Sequence, residues 1–65
     1  MISELVDIEM CEHHRTALAI LVSDDGDRDN AIWLPLSQVE IEPTKKAQIV
    51  IVTMPRYLAV TKGLV

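Results

Sequence analysis

The chain is poor in the residues that small proteins use for crosslinks, phosphate loops and large cores. Its 65 residues include no phenylalanine, one tryptophan, one tyrosine, one cysteine and two glycines. The single cysteine, Cys11, excludes a disulfide within the chain, and small secreted domains usually depend on such bonds. Two glycines, Gly26 and Gly63, do not suffice for a glycine-rich phosphate loop. The composition therefore predicts a reducing, cytoplasmic setting.

Long apolar runs are also missing. The longest uninterrupted one, Ala17 to Val22, is far too short to span a bilayer. The first residues, Met1 to Glu9, are acidic, whereas a signal peptide begins with basic residues. We therefore expect no membrane association.

Acidic residues are absent after Glu42. All 10 of them lie between Glu4 and Glu42, where only Arg15 and Arg28 oppose them, so this part carries 2 − 10 = −8. The remainder carries four Lys or Arg residues and no acid, which gives +4 and a net charge of −4. Phosphate binding needs a concentrated basic surface, so direct nucleic-acid binding is disfavoured and a basic partner is favoured.

The apolar residues that are present follow strand periodicity. Val6, Ile8 and Met10 alternate with acids, and Val39 to Glu42 alternates in the same way, which predicts half-exposed strands. Thr16 to Val22 is apolar on both faces, and Gln48 to Thr53 is rich in β-branched residues. We interpret Cys11 to Arg15 as a polar connection.

Turn signals separate these runs. Asp25-Gly26, within the polar stretch Ser23 to Asn30, predicts a hairpin to a strand at Ala31 to Leu34 that Pro35 ends. Leu36 to Gln38 is expected to form a tight helical turn. Pro55 suits the first turn of a helix from Arg56 to Lys62, with Gly63 as its left-handed C-terminal residue and Met54, Leu58 and Leu64 anchoring it.

Together these segments predict one mainly β domain spanning residues 1–65. Its expected architecture is a small, strongly bent antiparallel sheet or partly open barrel of four to five strands with a short C-terminal helix. We expect Trp33 in the core and Tyr57 at an edge or interface.

Residues capable of metal binding or catalysis do not form a recognisable site. Cys11, His13 and His14 cluster with Glu12, but a structural zinc site needs four ligands and no further Cys or His exists. The acidic stretch from Asp24 lacks the glutamate that closes a helix–loop–helix calcium site. No serine lies in a nucleophile turn. We therefore expect no enzyme, metal or cofactor.

The acidic residues are the candidate partner-binding site. Carboxylates in the hairpin tip and on nearby strands could form one negative face, and Arg and Lys accept carboxylates and phosphates alike. The alternative is ordinary solubilising charge that protects sheet edges. With Tyr57 as an added contact, the candidate residues are Asp24, Asp25, Asp27, Asp29, Glu40 and Glu42.

Two stretches resemble small phage and prophage proteins. They are Ala31-Ile32-Trp33-Leu34-Pro35-Leu36-Ser37-Gln38-Val39-Glu40 and the segment from Val52 to Leu64, in which Pro55-Arg56-Tyr57-Leu58-Ala59 precedes Lys62-Gly63-Leu64. Tyr57 stands where such proteins have Trp, and Val60-Thr61 stands where they have charged residues. The resemblance implies a mobile-element origin and a role in the cytoplasm of a bacterial host cell. Proteins of this class include inhibitors of host defence, among them anti-CRISPR proteins.

The leading hypothesis is therefore a phage-type inhibitor whose acidic surface binds the basic surface of a host protein or ribonucleoprotein complex. A second hypothesis is a small-barrel accessory module of phage replication or recombination, which would use Arg56, Tyr57, Lys45 and Lys46 on single-stranded nucleic acid. A third is a self-associating structural protein, in which the two-sided apolar strand supports a homodimer.

Overall fold

A computed structural model describes residues 4 to 64 of the chain. Five strands and one α-helix follow each other along the chain: β1 (Leu5–Arg15), β2 (Ala19–Ser23), β3 (Ile32–Pro35), β4 (Glu40–Pro43), β5 (Ile49–Pro55) and α1 (Arg56–Thr61). Short 3-10 turns at Arg28–Asn30 and Leu36–Gln38 flank β3. The turn at Leu36–Gln38 confirms the helical turn expected after Pro35.

The strands form one antiparallel sheet in the order β3-β2-β1-β5-β4. β1 is the central strand and changes partner along its length. Leu5 to Cys11 pairs with β5, whereas Cys11 to Arg15 pairs with β2. Within residues 4 to 64, β3 and β4 are the outermost strands and the sheet is not closed. The predicted class, mainly β with a short C-terminal helix, is confirmed.

Alternation divides the sheet into an inner and an outer face. On the inner face, alternate residues of β2, β3, β5 and the first half of β1 pack into one aliphatic core, together with Ile41 of β4 and residues of α1. The buried members of this core are Met10, Ile20, Val22, Leu34, Val39, Val50, Val52, Met54, Leu58 and Ala59. Because period 2 sends the neighbours of these residues to the opposite side, the outer face carries the polar half of each alternating pattern.

The β2–β3 hairpin is confirmed by its register, in which Ala19 faces Pro35 and Val22 faces Ile32. Gly26, at the hairpin tip, has φ +81°, a left-handed conformation that L side chains rarely adopt. The hairpin therefore turns where the Asp-Gly pair predicts it.

The predicted connection at Cys11 to Arg15 is wrong, because these residues form the second half of β1. A bulge between Glu12 and His14 shifts their pairing with β2 by one residue. The shift interrupts the apolar–polar alternation from which a strand is predicted. The strand at Thr16 to Val22 is shorter than expected, since Thr16 accepts hydrogen bonds from the amides of Leu18 and Ala19 and turns the chain before β2.

The C-terminal helix begins at Arg56, as its sequence predicts, and ends at Thr61, one residue before the predicted end. Pro55 is its N-terminal cap residue, and Gly63 is left-handed with φ +73°. The amide of Leu64 donates to the carbonyl of Ala59 at 2.8 Å, the long-range bond of a glycine-terminated helix. Met54 and Leu58 are buried, and Leu64 packs on the core. Within residues 4 to 64, no helix combines the length and apolar character that crossing a membrane requires.

Candidate functional site

Four carboxylates share the outer face of the sheet. Asp7 and Glu9 lie on β1, and Glu40 and Glu42 lie on β4, with β5 between the two strands. In register, Thr53 separates Asp7 from Glu40, and Ile51 separates Glu9 from Glu42. Strand geometry sets the β1 pair about 10 Å from the β4 pair, and the two carboxylates on each strand are about 7 Å apart. We call these four residues the acidic face.

The acidic face has no basic partner within the described part of the chain. The ion pairs there join Arg15 to Glu12 at 2.8 Å and Arg56 to Glu4 at 3.2 Å, and neither acid belongs to the face. Among the described residues, the hydrogen bond made by its side chains has an uncharged donor, the Thr53 hydroxyl, which donates to Asp7 Oδ1 at 2.6 Å. The negative charge of the acidic face is therefore left uncompensated.

The hairpin tip extends the acidic face along β1. A shallow depression of about 240 Å³ joins the two, and its lining residues are Glu9, Met10, Cys11, Asp24, Asp25, Gly26 and Ile49. Asp24 and Asp25 therefore line the same depression as Glu9. This neighbourhood joins candidate residues from the tip to acids on the sheet.

The tip aspartates also support the loop itself. Asp25 accepts hydrogen bonds from the amide of Asp27 and the side-chain amide of Asn30, both at 2.9 Å. These two bonds lower the pKa of Asp25 from its ordinary value of 3.8. Asp27 in turn caps the following 3-10 turn by accepting from the amide of Asp29 at 2.9 Å. Two of the predicted binding residues therefore have a local structural role.

Trp33 occupies the other half of the outer face, and its prediction as a core residue is wrong. It is 46% exposed because Ile32 and Leu34, on either side of it, point to the inner face. Its ring stands at 90° to that of His14, with the centroids 6.1 Å apart. Leu21 pairs with both residues and is only 8% exposed. The two rings therefore lean over Leu21 from the neighbouring strands.

The cysteine–histidine cluster is divided among separate contacts. His13 Nε2 lies 2.7 Å from the hydroxyl of Ser23, whereas His14 packs against Trp33. In residues 4 to 64, no three Cys, His, Asp or Glu side chains converge as a metal site would require. Ser23 is 1% exposed, so its pairing with His13 gives a substrate no access to the hydroxyl. This pair was missed because the sequence assigned both residues to connections.

The remaining candidate residues lie away from the acidic face. Tyr57 is 62% exposed on α1, whose buried residues face the inner side of the sheet, and its hydroxyl donates to Gln38 Oε1 at 3.2 Å. Lys45 and Lys46 precede β5, whereas Arg56 follows it. The length of that strand separates them by about 20 Å. The structure therefore separates the two lysines of the proposed basic–aromatic patch from Arg56 and Tyr57.

Comparisons with protein-family models, with curated proteins and with solved structures found no match. The interpretation of the site therefore starts from its own geometry. Its main features are the acidic face, the adjoining hairpin tip and the ring-covered half around Leu21.

Proposed function

We propose that the chain acts by binding a basic macromolecular surface, without catalysing a reaction. The observation that carries this proposal is the acidic face, on which Asp7, Glu9, Glu40 and Glu42 point to one side of the sheet without a Lys or Arg partner in the described residues. Ordinary solubilising charge is mixed in sign over a protein surface. Acids gathered on one face instead attract an opposite charge on a partner.

The spacing of the carboxylates supports a partner that normally binds phosphates. Arg and Lys form similar charge-assisted hydrogen bonds to carboxylates and to phosphates. β1 and β4 each carry one pair of carboxylates, spaced about 7 Å apart along the strand. The two pairs offer successive contacts to a basic groove. A protein with this surface competes with a nucleic acid for such a groove.

The resemblance to phage proteins sharpens the proposal to an inhibitor of a host nucleic-acid-handling defence complex of the anti-CRISPR type. In this role the acidic face and the hairpin tip together cover Lys and Arg residues of the host complex. Asp24 and Asp25 contribute because they adjoin Glu9. Tyr57, on α1, would be a separate contact.

Capture from a bacterial lysate tests the binding function through two charge-removing variants and one control. In the face variant, D7N, E9Q, E40Q and E42Q remove four charges and keep the side-chain shapes. In the tip variant, Asp24, Asp25, Asp27 and Asp29 become Asn, which still accepts hydrogen bonds. The control variant, E4Q with E12Q, changes acids that are already paired with arginines.

We expect wild type and control to retain a basic host protein that the face variant releases and the tip variant holds more weakly. Retention should fall as salt rises, because exposed charges are screened over a Debye length of about 8 Å at physiological ionic strength. Equal retention by wild type and the face variant would contradict the proposal. The defence-inhibitor role is tested by target cleavage with a purified CRISPR effector nuclease, which the wild type should slow and the face variant should not.

A further inference from the structure

The hydrogen-bond pattern of β1 reveals which of its backbone groups lack a strand partner. The amide of Arg56 donates to the carbonyl of Glu4 at 2.8 Å, and the amide of Glu12 donates to that of Gln48 at 2.6 Å. Both contacts fit the β1–β5 register, which pairs Leu5 with Pro55 and Cys11 with Ile49. In an antiparallel ladder, alternate residues bond to the same neighbour. Even-numbered residues of β1 therefore bond to β5, and odd-numbered residues up to Cys11 point the other way.

On that other side, β2 covers only part of β1. Cys11 pairs with Ser23, the last residue of β2, after which the chain leaves the sheet through the hairpin tip. Within residues 4 to 64, no strand lies beside Leu5, Asp7 and Glu9 opposite β5. Their amides and carbonyls consequently form an open edge, which we call the β1 edge. It exists although β1 is the middle strand of the sheet, because β2 pairs only with the second half of β1.

The side chains beside the β1 edge alternate in character. Asp7 and Glu9 are exposed on the outer face, and Val6 and Ile8 are only partly buried on the inner face. An added strand would place every second side chain against Val6 and Ile8 and the others opposite the carboxylates. The edge thus suits an extended segment in which apolar and basic residues alternate.

We propose that the β1 edge accepts such a segment from the partner as an additional antiparallel strand. This proposal rests on the proposed function, because it names the form in which the basic partner meets the acidic face. Main-chain hydrogen bonds to Leu5, Asp7 and Glu9 supply affinity, and the alternating side chains supply specificity. Basic side chains near the end of the added strand reach Asp24 and Asp25, which adjoin Glu9.

Charge disfavours a second copy of this chain as the occupant. The antiparallel register that engages all three open residues of both copies sets Asp7 opposite the same residue of the second copy. Like charges directly opposite each other destabilise a strand pair. The edges at β3 and β4 are short strands that end in Pro35 and Pro43, a feature that discourages edge-to-edge association.

Blocked peptides that alternate lysine and valine over seven residues test the proposal. In the bound register, lysine amides face β1 and valine amides face away. Three peptides are compared by NMR titration at low salt: unmodified, N-methylated on the valines and N-methylated on the lysines. The two methylated peptides have the same number of charges. Because seven alternating residues include four of one type, one residue of that type is left unmethylated, so that each peptide carries three methyl groups.

We expect the valine-methylated peptide to bind nearly as well as the unmodified one. The lysine-methylated peptide should bind about tenfold or more weakly, because it cannot donate backbone hydrogen bonds to β1. Equal, salt-sensitive binding of both methylated peptides would overturn strand addition but leave the proposed function standing. Absence of binding by all three would also overturn it, whereas the proposed function is judged separately by lysate capture.

Two protein variants separate the β1 edge from the rest of the acidic face. D7N with E9Q removes two charges beside the edge, and E40Q with E42Q removes two on β4, a strand that does not touch the edge. We expect D7N with E9Q to lower the affinity for the unmodified peptide about tenfold. E40Q with E42Q should lower it by a smaller factor, because cross-strand ion pairs act at short range. The reverse order would overturn the proposal.

Amide hydrogen exchange reports the edge directly. In the free protein, the amides of Leu5, Asp7 and Glu9 should exchange fast, whereas those of Val6 and Ile8 are protected by β5. The unmodified peptide should slow exchange at the odd-numbered positions. Protection of Asp7 and Glu9 already present in the free protein would show that the edge is occupied and would overturn the proposal.

Discussion

Two rows of side chains cross the strands on the outer face, and each has an aliphatic residue between two larger or charged neighbours. The environments of the two aliphatic residues differ. In one row, Leu21 lies between His14 and Trp33, and in the other, Ile51 lies between Glu9 and Glu42. The rings lean over Leu21 and leave it 8% exposed, whereas Ile51 remains partly exposed among carboxylates. The first row extends the core to the outer side of the sheet. The second keeps its charges free for a partner.

The difference shows how one small sheet separates stability from binding. Carboxylates next to Ile51 stay hydrated and repel each other across the strand, so they gain little by folding. Aromatic rings over Leu21 remove apolar area from water. Both rows cross β1, and the bulge between Glu12 and His14 lies between them. Substitutions in the two rows should therefore have different consequences.

The largest difference is expected for the central residues themselves. Leu21→Ala should lower the free energy of unfolding by about 2–4 kcal/mol, because it leaves a cavity under His14 and Trp33. Ile51→Ala should lower it by about 1 kcal/mol, since Ile51 already contacts water. Urea unfolding of both variants provides the comparison. Equal losses would mean that the rings do not shield Leu21.

Removing a ring should have a smaller effect than removing the residue beneath it. Trp33→Ala uncovers Leu21 and deletes a cross-strand contact, so we expect a loss of about 1–2 kcal/mol. Glu42→Ala is the matched control in the other row and should change stability by less than about 0.5 kcal/mol, as is usual for surface sites. A Trp33→Ala variant as stable as the wild type would mean that Trp33 does not shield Leu21.

Local periodicity predicted much of the fold, because alternation of apolar and polar residues identifies both a strand and the face that it buries. β4 and β5 and the β2–β3 hairpin follow from Val39 to Glu42, from the β-branched run before Pro55 and from Asp25-Gly26. The second half of β1 could not be predicted, because its bulge breaks the alternation. Trp33 was misplaced because a large apolar residue in a small chain suggests the core. Alternation along β3 instead places it on the outer face, between the inward-facing Ile32 and Leu34.

The acidic face was predictable in part. Alternating acids in two segments indicated that Asp7 and Glu9 share one strand face and that Glu40 and Glu42 share another. Their position on the same side of the sheet depends on β5 inserting between β1 and β4, a long-range pairing that no local pattern contains. The β1 edge was likewise hidden, since it results from where β2 ends.

Neutralising one acidic row should affect stability only slightly. Glu9→Gln with Glu42→Gln removes repulsion between two charges about 10 Å apart, so stability at low salt should rise by at most about 0.4 kcal/mol. Added salt should abolish the difference, because it screens the same repulsion in the wild type. Thermal unfolding at two salt concentrations checks this expectation. A clear loss of stability would mean that these carboxylates have structural partners.

The smallest effect is expected at the hairpin tip, next to the acidic row. Asn30→Ala removes one of the two hydrogen bonds that lower the pKa of Asp25, so that pKa should rise toward 3.8 but remain below it, because the bond from the Asp27 amide persists. Since folding lowers this pKa, the stabilising contribution of Asp25 is present above about pH 4 and is lost as the pH falls through the folded value. The carboxyl carbon shift of Asp25, followed by NMR against pH, measures the change, and Gln38→Ala is a control that removes an amide far from the tip. An unaltered Asp25 titration in Asn30→Ala would show that the Asp27 amide alone holds the carboxylate, and that the tip keeps its charge in acid without help from Asn30.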